Sequence, residues 1–595
     1  MLSAPPLRPR VRLITSSVLL LACSSVTRSS VTQTTPPVSA TTAAPAASPA
    51  LDLAAIRAQY RAFDRLRAVL GWYTRTQGEP PLSALLYLGR EPLFSAASLA
   101  VIDSALRRPD LAAEEALGLR FLRLALASER VSLQLAPFDD EVNAASIAAK
   151  VRVAFDSQPM AFLHAPLRLA TERDAGRRAQ LYEAISRVTL ETLNPILVRK
   201  EAAAQAAART AGYADYVAMS EELRGTRIDS VLAEGIEYVK ATDSIYRVTA
   251  DRVAREEVGV GLDRLRVSDW SRLFASPSVI EAFRKEMQLP ALTMFLSGIG
   301  LDMKTLTGGE VKIDDSLHPL KVRRAAVFWV DPPADVRLVV KPQDGMQDMG
   351  TLFHEAGHAV HMARVTITPW EAAMLGQSNA PTEAFGEFFR TTFEDPRFLA
   401  RFKAFLVARG QPALSNAQLA AVMRRSTLQQ MNYIRRYAFA KLLYELRLHG
   451  RSASQDGTAM ALLPAPDRVR GDDDASLREL YGQALSVAYG FTLNEAESAR
   501  YRSDVDDTFY SADYSRAFAL AAMMHDAIRR KFGVDWYGNP EVGKFLTEQL
   551  FARGTSLSAE DVAERLGFPR RMDFALAARR ARAVLAAADS LERSR

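Results

Sequence analysis

The chain has 595 residues, a formal net charge of +6 and a single cysteine. One cysteine excludes an intramolecular disulfide, so the stability of the fold must come from a buried core. Basic residues alternate with acidic ones instead of forming a stripe, and removing the three arginines of residues 1–22 lowers the charge from +6 to +3, which argues against a nucleic-acid partner.

The first 50 residues are predicted to export and anchor the chain. Three arginines precede an apolar run at 18–22, the pattern of a secretory signal peptide over residues 1–22. This run leads directly into Cys23, as in bacterial lipoproteins, in which the cysteine is diacylated and becomes the new N-terminus. Residues 23–50 are mostly Ser, Thr, Ala and Pro, which predicts a disordered tether. An ordinary signal peptide with an incidental cysteine is the alternative.

The lipoprotein pattern predicts a location in the bacterial cell envelope, facing the periplasm. We favour the outer membrane, because Ser24 stands where an Asp would favour retention in the inner membrane of enterobacteria. No run of 20 apolar residues follows the signal, so the lipid is the only membrane contact that we expect.

Beyond the tether, the periodicity predicts one helix after another. Apolar residues recur every three or four positions at 51–69, 119–131 and 179–211, and 231–257 is another long candidate. No Gly/Pro/Ser-rich linker interrupts the chain, so we predict a mainly α fold in one large bilobal unit over residues 51–595. We expect this unit to be a monomer.

Two β-rich runs interrupt the helical pattern. Residues 324–330 and 336–341 flank a Pro-containing turn at 331–334, which predicts a short hairpin. An unpaired edge strand can bind an extended peptide through its backbone. Ala325 and Ala326 are therefore candidate substrate-binding residues.

The chemistry is concentrated in LFHEAGHAVHM at 352–362. His354 and His358 are four residues apart, so on a helix both imidazoles face one side and can bind one zinc ion. Glu355 can take a proton from a water at the metal, which is the general-base role in a metallopeptidase. The alternative is a buried amphipathic helix whose histidines are core residues.

A catalytic zinc site needs a third protein ligand. The metzincin continuation is excluded, because it requires Gly and His where this chain has His361 and Arg364. The segment NAPTEAFGEFFR at 379–390 instead offers Glu383 and, one turn later, Glu387. One carboxylate can bind the metal while the other accepts the spare N–H of a ligand histidine. For Glu387 the alternative is a solvated helix face.

These motifs resemble two related families of zinc metallopeptidases, the gluzincins. HEAGHAVH followed by Glu383, 25 residues after His358, resembles the thimet oligopeptidase family, and GQSNAPTEAFGE is similar to a segment of the angiotensin-converting enzyme family. RAAVFWVDPPADVR at 324–337 aligns without gaps with the converting-enzyme segment that leads into the zinc helix. The resemblance covers about 318–395 well and 500–570 weakly.

The resemblance implies a zinc metallopeptidase with one zinc per chain, held by His354, His358 and Glu383. It also implies a large helical ellipsoid with a deep central channel and an edge strand beside the zinc helix. The converting-enzyme family has a His where this chain has Arg324, so Arg324 becomes a candidate for substrate contact.

The C-terminal part of the resemblance is less complete. The family pattern Pro-Tyr-x-Arg-Tyr-Phe matches at Tyr514 and Arg516 but has Ala517 at the second Tyr, and its upstream His falls on Asp507 or Phe509. Both families use such His and Tyr groups to stabilise the oxyanion. The predicted oxyanion donor is therefore Tyr514, or its neighbour Tyr510, and Arg516 is a substrate-binding candidate.

Other tyrosines and histidines are interpreted as structural. Tyr433 and Tyr437 repeat like a core face, and they follow Glu383 too closely to match the family motif. The remaining isolated histidines are expected to be ordinary surface or core residues: His164, His318, His449 and His525.

The sequence therefore predicts an oligopeptidase that hydrolyses short or unfolded peptides. One alternative is a peptidyl-dipeptidase that releases C-terminal dipeptides, although no lysine clamp for the terminal carboxylate can be identified. A second alternative is an inactive relative that serves as a peptide-binding or envelope scaffold, which the departures near Tyr514 favour. The helical pattern excludes an ordinary solute-binding lipoprotein.

Overall fold

Helices supply nearly all of the regular structure in the computed structural model. The model describes residues 51–78, 83–303, 311–318, 321–322, 324–452 and 456–594. These described residues belong to one compact unit. The predicted signal peptide, Cys23 and the predicted tether lie outside the described residues.

The mainly α prediction is confirmed. The helices are α1 (Leu53–Gln77), α2 (Ser83–Tyr87), α3 (Ala96–Leu106), α4 (Ala113–Ala148), α5 (Ala165–Thr171), α6 (Ala175–Val188), α7 (Asn194–Thr210), α8 (Tyr216–Arg224), α9 (Ile228–Glu257), α10 (Trp270–Ala275), α11 (Lys285–Gly298), α12 (Met346–Met362), α13 (Trp370–Met374), α14 (Ala380–Arg390), α15 (Pro396–Ala408), α16 (Asn416–Ile434), α17 (Leu442–Leu448), α18 (Asp456–Met460), α19 (Asp474–Tyr489), α20 (Tyr510–Phe532), α21 (Glu541–Gln549), α22 (Ala559–Arg565) and α23 (Phe574–Arg593). No helix among the described residues is long and apolar enough to cross a membrane.

Helix α1 shows how local sequence sets the helix ends. The Asp52 side chain accepts a hydrogen bond from the Ala55 amide at 2.7 Å, and Gly78 ends the helix in the left-handed region with φ 75°. The predicted segment at 51–69 is therefore part of a longer helix. The segment predicted at 179–211 comprises α6 and α7, which are joined by the π-helical turn Thr189–Leu193.

The predicted hairpin is present and belongs to a larger sheet. The strands are β1 (Lys150–Val151), β2 (Met160–Ala161), β3 (Val311–Asp314), β4 (Ala326–Asp331) and β5 (Asp335–Val339). Strands β4 and β5 pair antiparallel, with Ala326 opposite Val339, and β3 adds a parallel partner to β5 that was not predicted. The order β3-β5-β4 leaves β4 at the edge of the sheet.

The two faces of the hairpin are covered by different helices. Helix α1 packs on one face, where a Cβ on Gly71 would lie 2.8 Å from the Phe328 ring. On the other face Trp329 points to α12, and its ring centroid lies 6.5 Å from that of His358. The edge strand therefore runs beside α12, the helix predicted to bind zinc.

Helix α20 contributes to the two largest apolar cores. One core surrounds α12 and α14 and contains Phe353, and the other contains residues of α9, α16 and α19. Ala517 and Leu520 face the first core, whereas Phe518 and Ala519 face the second. The bilobal shape and the central channel remain predictions.

Helices α12 and α14 approach closely because each places a glycine at their contact. A Cβ on Gly357 would lie 2.6 Å from the Phe385 carbonyl oxygen, and a Cβ on Gly386 would lie 2.8 Å from the His354 ring. Both distances are far below ordinary van der Waals contact. The absence of side chains at these two positions therefore allows the backbone of one helix to lie against the other.

Gly357→Ala is expected to destabilise the fold by about 1–3 kcal/mol, because the added methyl group must push the two helix backbones apart. Chemical denaturation followed by circular dichroism measures this change. Gly457→Ala is the control, since nothing lies within 4 Å of a Cβ at that exposed position in α18. Equal stability of Gly357→Ala and the wild type would contradict the tight contact between α12 and α14.

Candidate metal centre

Helix α12 places two histidines at one point. His354 and His358 are one helical turn apart, and their Nε2 atoms lie 3.0 Å from each other. His358 is 8% exposed. The two imidazoles therefore converge inside the protein, as the HExxH spacing predicts.

Helix α14 brings the third predicted ligand to the same point. Glu383 lies in its first turn, and its Oε2 atom is 3.2 Å from Nε2 of His354 and 3.7 Å from Nε2 of His358. A tetrahedral zinc ion with bonds of about 2.0–2.1 Å holds its ligand atoms about 3.3 Å apart. The three atoms thus form a triangle of the size that a zinc ion requires.

The hydrogen-bonding state of Glu383 also fits a cation. Its Oε1 atom accepts a hydrogen bond from the Tyr510 hydroxyl at 2.7 Å, whereas the buried Oε2 atom has no hydrogen-bond donor among the described residues. A buried carboxylate oxygen is costly without a partner. A metal ion within the triangle would satisfy it, so the donor set fits zinc.

Glu387 contacts His354 at the ring nitrogen that does not face Glu383. Its Oε1 atom lies 3.0 Å from Nδ1 of His354, while Arg390 pairs with its other oxygen. Burial would raise the pKa of Glu387, but the charge of Arg390 and the contact with His354 lower it to about 2. Glu387 is only 4% exposed, so the alternative of a solvated helix face does not hold.

The two carboxylates make the ligand side of the site strongly negative. Burial alone would lower the pKa of His354, but Glu383 and Glu387 raise it to about 10. The pKa of Glu383 is itself lowered, because the contacts with His354 and His358 outweigh the effect of burial. Such a potential favours a bound cation.

Glu355 follows the first histidine on α12 and is 9% exposed. Its carboxylate forms no hydrogen bond and no ion pair with any described residue. A buried carboxylate next to the predicted metal ligands, with no hydrogen bond or ion pair of its own, is available to accept a proton, which is the role predicted for it.

The start of α14 is held by a buried aspartate from α20. Asp513 accepts a hydrogen bond from the Ser378 hydroxyl at 2.6 Å and from the Asn379 amide at 3.0 Å. Its other partner is Arg224 of α8, at 2.9 Å. Asp513 therefore fixes the helix that carries Glu383, and no local sequence signal identified it.

Two tyrosines project from one face of α20 at a spacing of four residues. Tyr510 donates to Glu383, so it orients a predicted zinc ligand. Tyr514 has no hydrogen-bond partner for its hydroxyl among the described residues, and its ring lies 4.9 Å from that of Tyr510. Burial raises the pKa of Tyr514, so the phenol keeps its proton at neutral pH and can donate a hydrogen bond.

The turn before Tyr510 is strained. Thr508 and Phe509 both adopt left-handed backbone conformations, with φ 50° and φ 54°. The Tyr216 hydroxyl accepts a hydrogen bond from the Thr508 amide at 2.7 Å, and Arg224 Nε donates to the Thr508 carbonyl at 2.9 Å. Buried neighbours thus hold the chain in the conformation that starts α20 and aims its tyrosines.

Arg516, a predicted substrate-binding residue, is buried. It is 3% exposed and forms an ion pair with Glu560 of α22 at 2.6 Å. It lies two positions from Tyr514, on a different face of α20. The ion pair joins α20 to α22, and the substrate-binding role of Arg516 stays a prediction.

Arg324, Ala325 and Ala326 lie where the hairpin prediction places them. Ala326 begins the edge strand β4, Ala325 is 7% exposed, and Arg324 is exposed immediately before them. No further strand pairs with the outer edge of β4 among the described residues. This edge can accept an extended peptide.

Tyr433 and Tyr437, interpreted as structural, lie beside the aromatic face of α20. The Tyr437 ring lies 5.1 Å from that of Tyr514, and Tyr433 stacks on Phe518 at 5.7 Å. Both are half-buried. They form an aromatic wall beside the predicted oxyanion donor, and their spacing on a helix face was the signal that could have indicated it.

The remaining histidines are accounted for as structural. His361 Nε2 donates to the Gly554 carbonyl oxygen at 3.0 Å, and His525 lies 2.9 Å from the Thr391 hydroxyl. His449 contacts the Gln205 amide at 3.1 Å. His164 and His318 are exposed.

A search of protein-family models found no match to this chain, and a search of curated proteins found none either. The resemblance to the two metallopeptidase families therefore stays a prediction. Of the described residues, only His354, His358 and Glu383 form a cluster of the kind that holds a metal ion.

The purified protein is expected to contain about one zinc ion per chain, because the three donors form one closed site. Glu383→Ala should lose the metal, whereas Glu355→Gln should retain it. Elemental analysis after dialysis measures both contents. Full zinc occupancy in Glu383→Ala would remove Glu383 from the ligand set.

Proposed function

We propose that this protein is a zinc-dependent peptidase that hydrolyses short or unfolded peptides. The observation that supports it most directly is the convergence of His354, His358 and the Oε2 atom of Glu383, with the carboxylate-bearing Glu355 next to His354 on α12. Three protein donors and an adjacent base are what metal-assisted hydrolysis requires. The resemblance to the gluzincin families supports the same reaction.

A bound zinc ion would supply a more acidic water and polarise the scissile carbonyl group. Glu355 takes a proton from the attacking water as the water oxygen bonds to the carbonyl carbon. It then passes this proton to the nitrogen of the leaving amine as the C–N bond breaks. Tyr514 donates a hydrogen bond to the carbonyl oxygen while negative charge develops there.

The proposed mode of substrate binding is backbone pairing with the edge strand β4. A peptide that pairs with the open edge of β4 would be held in extended form beside α12 and pass the metal ligands. Such pairing reads the backbone rather than the side chains. Flexible peptides should therefore be cleaved, whereas compact folded proteins would have to unfold first.

The proposal includes a lipid anchor at Cys23 and a location in the cell envelope, which rest on the N-terminal sequence. An anchored peptidase acts on peptides that reach the periplasm. The peptidyl-dipeptidase and the inactive scaffold remain the two alternatives, and the products of one experiment distinguish all three.

Incubation with a mixed peptide library, followed by mass analysis of the products, tests the proposal. We expect internal cleavage that stops when zinc is chelated and returns when zinc is restored. Glu355→Gln, which keeps the metal ligands, should show no cleavage because it lacks the base. Release of C-terminal dipeptides would favour the peptidyl-dipeptidase, and zinc binding without cleavage would favour the scaffold.

Substitution of the two tyrosines of α20 should distinguish an oxyanion donor from a residue that orients Glu383. Tyr514→Phe is expected to lower kcat about 10²–10³-fold with little change in zinc content, because one oxyanion donor is lost. Tyr510→Phe should instead weaken zinc binding, since it removes the hydrogen bond to Glu383. Steady-state kinetics and a zinc competition titration measure these changes. A large kcat loss in Tyr510→Phe at full zinc occupancy, with a normal Tyr514→Phe enzyme, would reverse the assignment.

A further inference from the structure

Two arginines lie where the end of α1 meets the segment that leads into the hairpin. Arg75 lies in the last turn of α1, and Arg324 lies two residues before Ala326, the first residue of β4. The Arg75 carbonyl oxygen accepts a hydrogen bond from the Val322 amide at 2.9 Å, which fixes the end of α1 next to the segment that carries Arg324. The charge of Glu355 acts to raise the pKa of each arginine, so this carboxylate lies within electrostatic range of both.

Arg324 also lies within electrostatic range of the predicted oxyanion donor. Its charge acts to lower the pKa of Tyr514, against the larger effect of burial, which raises it. Because Tyr514 is the proposed oxyanion donor, Arg324 lies near the position at which the substrate carbonyl would be attacked. A guanidinium group at this place can contact a bound peptide.

Neither arginine has a carboxylate partner of its own. Within the described residues, no acidic group lies within ion-pair distance of Arg75 or Arg324. The other four arginines of α1 each have a carboxylate partner. Arg57 pairs with Glu115 and Glu371, Arg61 and Arg65 pair with Asp331, and Arg67 pairs with Asp64 and Glu129. The unpaired state of Arg75 therefore differs from the rest of its helix.

An unpaired pair of like charges is unfavourable. Burial and the neighbouring charge of Arg324 lower the pKa of Arg75, and Glu355 offsets this only in part. One carboxylate cannot neutralise two guanidinium groups, and Glu355 must stay free to accept a proton in the proposed reaction. A second anion would relieve the repulsion.

We propose that Arg75 and Arg324 bind a carboxylate group of the peptide substrate, and so give the enzyme a preference for acidic peptides. This rests on the proposed function. Guanidinium groups match carboxylates through paired N–H donors, which favours this anion. Arg324 is adjacent to the edge strand at Ala325, so a peptide paired with that edge carries the carboxylate close to the scissile bond.

The carboxylate has two sources, the C-terminus of the peptide and an Asp or Glu side chain. Matched hexapeptides distinguish them: a neutral peptide with a free C-terminus, its C-terminal amide, and amides with a single Asp placed at each position in turn. The wild-type enzyme should cleave at least one carboxylate-bearing peptide with a kcat/KM roughly 10- to 100-fold above that of the neutral amide. Equal values for all peptides would overturn the proposal.

Variants then assign the preference to the two arginines. In Arg324→Gln and Arg75→Gln the ratio of kcat/KM between the preferred peptide and the neutral amide should fall toward one. Arg324→Glu should instead favour an amide with Lys at the same position. Arg65→Gln is the matched control, because it removes one charge from α1 at an exposed position and should keep the wild-type ratio. An unchanged ratio in both glutamine variants would overturn the assignment.

Binding measurements separate this proposal from the proposed function. Calorimetric titration of Glu355→Gln with the free-acid, Asp-containing and amidated peptides measures the preference without cleavage. Tighter binding of a carboxylate-bearing peptide that is lost in Glu355→Gln/Arg324→Gln supports the arginine site even if the wild-type protein cleaves nothing. Cleavage of peptides with no carboxylate preference in either binding or kinetics would leave the peptidase proposal standing and refute the arginine site.

Discussion

The backbone contact between α12 and α14 sets the geometry of the whole site. His354 and His358 belong to one helix and Glu383 to the other, so the size of the donor triangle depends on how closely the helices approach. Gly357 and Gly386 permit an approach that any side chain would prevent. Because Gly386 also lies against the His354 ring, the same contact holds the imidazole in place. The rest of the fold can be understood as fixing this pair of helices from outside.

Asp513 provides much of that fixation. It binds the start of α14 through Ser378 and Asn379 and is itself held by Arg224. Arg224 also holds the strained turn at Thr508. Asp513 thus couples α14, which carries the predicted ligand Glu383, to α20, which carries the tyrosines, and its ion pair adds α8 to this contact. Removing either partner would leave the other charge without compensation inside the protein. Because the net stabilisation from such a pair is small, its main contribution is to position α14 and α20.

Part of this site could be predicted because the residues that form it lie close together in the sequence. The histidines and Glu355 lie within one helical turn, and Glu383 is recognisable from its helix start. The hairpin follows from two β-rich runs around a turn. The rest depends on contacts between distant segments: the parallel pairing of β3 with β5, the ion pair between Arg516 and Glu560, and the hold of Asp513 on α14 have no signature at short range. The motif match at Arg516 therefore gave no indication of its partner Glu560.

The charges around the site fall into two groups. Glu383 and Glu387 provide negative potential beside the two histidines, and Arg390 balances it through its pair with Glu387. Arg75 and Arg324 supply positive charge and have no carboxylate within ion-pair distance among the described residues. Under the two proposals, the first group would hold a metal ion and the second would bind a substrate carboxylate. The charge of Arg324 also opposes the effect of burial on the pKa of Tyr514. A more acidic phenol donates a stronger hydrogen bond, so a group that holds the substrate would also assist stabilisation of the oxyanion.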